Sequence, residues 1–166
     1  MSTDGGLIAA LEASFVTTLA ALTYNDALVF PPCINGAKRT DHWRHQVGAT
    51  GGGLDAFLRY SPFAFVCYKD ADSAREGGHD LREVPTISIL IGVYNDTAGV
   101  ARIGDASHLG VSKIRDLVIA AFESKTPTGD LGCDEVYYSG DQLVVDGPKH
   151  AAIEMAFEVS KMTPPA

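Results

Sequence analysis

Apolar residues recur along this chain with two different periods. Between residues 6 and 23, Leu7, Leu11, Phe15, Leu19 and Leu22 fall three and four apart, and Ile8 and Ala9 widen the stripe. That spacing lays them on one face of a helix, with Thr3 or Asp4 placed to cap it. A second stripe, Val111, Ile114, Leu117, Val118, Ala121 and Phe122, predicts a helix that begins near Ser107. Ser107 or Asp105 can cap this helix, and Pro127 and Gly129 end it.

The period of two is strongest from Val84 to Tyr94, where Ile87, Ile89, Ile91 and Val93 share one face. Phe63 to Tyr68 reads as a second strand, with residues 69–82 as a polar, charged loop between the two. Ala27 to Phe30 is a short strand stopped by Pro31-Pro32. Val136-Tyr137-Tyr138 and Leu143-Val144-Val145 read as short strands around a turn at Gly140-Asp141. Ile153, Met155, Phe157 and Val159 alternate with Glu154 and Glu158, the pattern of a half-exposed outer strand whose charges protect an edge.

Residues 31–53 are the least regular part, with Asn35-Gly36, a basic and aromatic cluster from Lys38 to His45, and Gly51-Gly52-Gly53. A connection of that length is expected to be functional or mobile. Leu54 to Tyr60 has the makings of a helical turn, and the tail from residue 162 to 166 is expected to fray. The fold class that follows is α+β: a mostly antiparallel sheet of four to five strands against two main helices, in one domain over residues 1–166. No internal repeat or low-complexity segment appears.

Composition narrows the function classes. The 166 residues carry 13 basic and 21 acidic groups, a net charge of −8, which disfavours binding to nucleic acid or an anionic membrane. With 46% hydrophobic and 20% charged residues the chain is of ordinary globular type. Its three cysteines, Cys33, Cys67 and Cys133, are odd in number and widely spaced, so reduced cytosolic thiols are expected. No basic start of a secretory signal and no run of membrane-spanning length is present, so a soluble protein is expected.

Candidate chemistry is sparse. His42 and His45 with Cys33 upstream offer three possible zinc ligands, but there is no CxxC pair, and an exposed loop anchored by Trp43 is the simpler reading. Gly51-Gly52-Gly53 lacks the lysine and hydroxyl of a phosphate loop and reads as a hinge. No nucleophile elbow occurs. Cys67, inside an apolar strand, is expected in the core, and Cys133, in a loop, is expected to be the more exposed thiol. The mixture Lys69, Asp70, Asp72, Arg75, Glu76 and Asp80 reads as a solvated loop. We therefore expect no catalytic, cofactor-binding or metal-binding residues and no cofactor. Arg39, Trp43 and Arg44, an aromatic-basic group in an acidic protein, are the candidate interaction surface.

The order helix, strand, long loop, strand, core strand, helix and C-terminal strands resembles the Mu-like phage tail-completion family, whose members are similar to tail terminators. The resemblance rests on Leu7–Leu22 with Ala27–Phe30, on Phe63–Tyr68, on Thr86–Tyr94 leading to the helix with Ile114-Arg115-Asp116-Leu117, and on Ile153–Val159. It implies a non-catalytic assembly role: a ring, commonly six-fold, that caps the tail tube and helps join tail to head. The implied partners are other copies of the chain, the tail tube and head-neck proteins. The implied location is the bacterial host cytoplasm and then the virion tail or neck. The segment 31–53 is longer and richer in glycine than the family pattern needs. Two alternatives stand beside this: a small metal-binding protein or enzyme using Cys33, His42 and His45, and a monomeric ligand-binding module.

Overall fold

The computed structural model describes residues 6–32, 36–39, 62–76, 80–129 and 131–163. Along the chain run helix α1 (Gly6–Ala20), strands β1 (Thr23–Tyr24), β2 (Ala27–Leu28), β3 (Gly36–Arg39), β4 (Phe63–Glu76) and β5 (Asp80–Tyr94), helices α2 (Val100–Ile103) and α3 (Val111–Phe122), and strands β6 (Val136–Asp146), β7 (His150–Val159) and β8 (Lys161–Thr163). The fold is α+β, as the apolar pattern predicts. The main sheet has the order β3-β4-β5-β7-β6, with β8 beside β5. Its pairings are antiparallel except for β3 with β4, which is parallel.

The two predicted apolar faces meet over the middle of this sheet. Leu11, Phe15 and Leu19 of α1 and Val111, Ile114, Val118 and Phe122 of α3 are buried against Ile87, Ile89, Ile91, Met155 and Phe157. Phe15 stacks on Phe122 with ring centroids 4.5 Å apart, and Phe157 meets Phe122 at 5.3 Å. Each such ring contributes about 1.5–3 kcal/mol on burial, so this trio locks both helices onto β7. On the sheet's other face Phe63 and Phe65 stack at 4.3 Å beside Leu90 and Ala152. The period of two thus places apolar side chains on both faces of β4 and β5, which is the pattern of central strands.

Several sequence expectations change. Helix α1 stops at Ala20, three residues before the expected end, and the chain turns into a β1–β2 hairpin. Asn25 and Asp26 have φ of 51° and 64°, the left-handed pair of a type I′ turn that Asn and Asp tolerate best. The charged stretch expected as loop 69–82 is largely strand: pairing continues from Asp70↔Thr86 to Glu76↔Asp80. Main-chain bonds carry this part, and polar residues leave no apolar alternation to announce it. Pro85 falls between the stretches of β5 paired with β7 and with β8, so it breaks neither ladder.

The turn expected at Gly140-Asp141 is a bulge within one long strand, β6, with a second bulge between Leu143 and Val145. The expected outer strand, β7, lies inside the sheet between β5 and β6, so Glu154 and Glu158 do not guard an edge. Helix α3 begins at Val111 after Gly110, not at Ser107. It ends at Phe122, where Ser124 takes φ of 60°. The expected turn at Leu54–Tyr60, and most of the irregular segment 31–53, lie outside the described residues, as do residues 164–166 of the tail.

Candidate functional site

Of the candidate interaction residues, Arg39 is described, on β3. Trp43 and Arg44 lie outside the described residues, as do Cys33, His42 and His45. Arg39 Nε contacts Glu12 Oε1 at 3.0 Å, and its side chain is 55% exposed while that of Glu12 is 10% exposed. Glu12 Oε2 also accepts the Tyr68 N–H at 3.0 Å, beside the bulge that follows Tyr68. Its carboxylate therefore ties α1 to both β3 and β4. The expectations for the thiols reverse. Cys67 is only half-buried, because its strand turns it away from the helices, whereas Cys133 is buried.

Polar groups converge in an open cleft of about 810 Å³. The β1–β2 hairpin forms one wall, through Tyr24, Asn25 and Leu28. The end of α2, the loop from there to Gly110 and the first turn of α3 also line the cleft, together with Val93, Tyr94 and Asn95. Two glycines set the loop. A Cβ on Gly110 would stand 2.4 Å from the Gly104 nitrogen, and Gly104 itself has φ of 86°. Main-chain approach this close, with a positive φ, requires glycine.

Between these glycines Asp105 folds back on its own loop. Its Oδ1 accepts the N–H of Ser107 and of His108, each at 2.8 Å, and faces His108 Nδ1 at 3.0 Å. An ionised carboxylate only accepts, so His108 Nδ1 carries the proton here. The Ser107 N–H first, and then the His108 ring, hold the Asp105 carboxyl below its ordinary range. Lys113, in the first turn of α3, places its ammonium 5.2 Å from the centre of the Tyr24 ring. The cleft therefore joins an oriented imidazole and a cation to apolar walls.

A second polar group fastens α3 to β6. Arg115 Nε donates to Asp141 Oδ2 at 2.5 Å, and Arg115 Nη2 donates to the Tyr138 hydroxyl at 3.1 Å. The Tyr138 hydroxyl donates to the same Asp141 oxygen. Burial first, and then the Asp141 hydrogen bond, push the Tyr138 phenol upward, while Asp141 and then Tyr138 hold Arg115 firmly protonated.

Sequence reading used Asp105 only as a helix cap and passed over Glu12, His108 and the Arg115–Asp141 pair. Asp-Ala-Ser-His between two glycines carries a local signal for a side-chain turn. The partners of Glu12 and Arg115 are 56 and 26 residues away, and no local pattern reveals them. Among the described residues no group of three His, Cys, Asp or Glu side chains is placed to hold a metal ion. No helix among them is long and apolar enough to cross a membrane. In comparisons with known proteins, no family model and no curated protein matches the chain.

Proposed function

We propose that this chain is a tail-completion protein of phage or prophage origin, similar to tail terminators, that acts by assembly and not by catalysis. On this reading it closes into a ring through contacts between copies, caps the tail tube and contributes to the junction with the head. It works in the bacterial host cytoplasm and then in the virion neck, with no cofactor.

One observation carries the reading. Strand β6 ends the sheet with apolar side chains exposed on it, Tyr137 and Leu143. Large apolar side chains exposed on an end strand offer their surface to another chain. The four segments on which the resemblance rests also supply α1, the β4–β5 hairpin, α3 and β7, the elements that build the core. Negative-stain images of concentrated protein test the reading: closed rings of uniform diameter are expected. Particles of single-chain size at every concentration would contradict it.

The 810 Å³ cleft favours a second reading, a monomeric module that binds a small ligand between Tyr24, His108 and Lys113. A strictly monomeric protein whose melting temperature rises with an added anionic ligand would favour that module.

A further inference from the structure

Four large apolar side chains stand exposed among the described residues: Leu28 at 42%, Ile103 at 76%, Tyr137 at 43% and Leu143 at 39%. They fall into two sets at two places. Leu28 and Ile103 both line the cleft. Tyr137 and Leu143 stand on β6, and no residue of β6 lines the cleft. Register puts Leu143 opposite Ile153, on the helix side of the sheet, and Tyr137 opposite Glu158, on the other side. The edge thus carries one exposed apolar group on each face of the sheet, at separate positions along the strand, and the cleft carries two in its lining.

We propose that the β6 edge of one copy seats in the cleft of the next, so that Tyr137 and Leu143 cover Leu28 and Ile103. This rests on the assembly reading and names its interface. Charge agrees with the pairing. Glu135 accepts the Tyr137 hydroxyl hydrogen bond at 3.0 Å, and Glu158 lies across the strand from Tyr137, so this end of the edge is acidic. Lys113 lines the cleft and makes no ion pair among the described residues, while the Asp105 carboxylate of the same cleft is held by the N–H groups of its own loop, so Lys113 is the charge the cleft offers to that end.

Pairing of β6 with β6 fits less well. The Val136 N–H already donates to Lys125 O, and the Tyr138 N–H to Glu123 Oε2. The bulges after Tyr138 and Leu143 interrupt the rest of the edge, and bulges of this kind oppose strand addition. A β6–β6 contact would also close at two copies and leave the cleft uncovered. Two different patches that fit each other give a head-to-tail contact, which continues until a ring closes.

The test uses two variants of the full chain, Ile103→Asp in the cleft and Leu143→Asp on the edge. Both positions are exposed, so both variants are expected to keep the native circular dichroism and melting temperature. If either melts early, Ile103→Ser and Leu143→Ser replace them. Each variant alone is expected to fall to the mass of one chain by light scattering. Mixed in equal amounts, they are expected to double that mass and stop there, because the pair retains one good cleft and one good edge. A mixture that stays at single-chain mass overturns the proposed interface. Variants that assemble like the wild type overturn it too, and leave the assembly reading standing. Wild-type protein that remains a single chain throughout overturns both.

Discussion

Glu12 places a carboxylate at a nearly buried position of α1, where it accepts a main-chain N–H from Tyr68 and an ion pair from Arg39. The two contacts are not equal. Arg39 is more than half exposed and can return to water, whereas the Tyr68 N–H loses its acceptor when the carboxylate is removed. Glu12→Ala is expected to destabilise by about 2 kcal/mol, the range for a polar group left unsatisfied. Arg39→Ala is expected to cost under about 1 kcal/mol, as exposed ion pairs do. Urea denaturation of both variants measures this, and an Arg39 effect as large as that of Glu12 would contradict the account. Asp105 gives a pH dependence at the same scale. Its folded pKa lies below the ordinary value of 3.8, so its contribution is present above the unfolded pKa and is lost as pH falls through the folded one. The amides of Ser107 and His108 are therefore expected to stay protected from exchange near neutral pH and to lose that protection under acid conditions, below the ordinary carboxylate range. Protection that persists unchanged through the acid range would remove the Asp105 carboxylate from the loop's support.

Between elements, the tie of α3 to β6 rests on Asp141, which holds both Arg115 and the Tyr138 hydroxyl. Asp141→Asn keeps the shape and removes the charge. It is expected to destabilise by about 1–2 kcal/mol, read from the urea midpoint. The Tyr138 phenol should then titrate lower than in the wild type, because the Asp141 hydrogen bond raises it, second only to burial. An unchanged phenol would remove Asp141 from that account. The elements differ in how far sequence reveals them. Leu11, Phe15 and Leu19, and Ile87 to Val93, announce α1 and β5 because one face of each is buried. The outer half of the β4–β5 hairpin is silent because main-chain bonds hold it and its residues are polar. Strand β6 looked like two strands because Gly140 at its bulge reads as a turn residue. Strand β7 looked like an outer strand because alternating glutamates mark a polar face wherever the strand sits in the sheet.

For the whole molecule, the apolar pattern determines which faces pack, but not which surfaces remain available to another chain. Leu28, Ile103, Tyr137 and Leu143 look like ordinary core residues in the sequence, and only the folded chain separates them from the core. The cleft is equally hidden, since it joins a hairpin near residue 25 to a loop near residue 105 through a long-range approach. Arg39, the described member of the basic cluster expected at an interface, pairs with Glu12 and stays more than half exposed, and the exposed apolar pairs lie elsewhere. The proposed function has this protein act as an assembly of copies. Mass in solution by light scattering, across a concentration series of the wild-type chain, tests it most directly. The account predicts a discrete multiple of the 17.6 kDa chain that becomes dominant as concentration rises. A mass of 17.6 kDa at every concentration would contradict it.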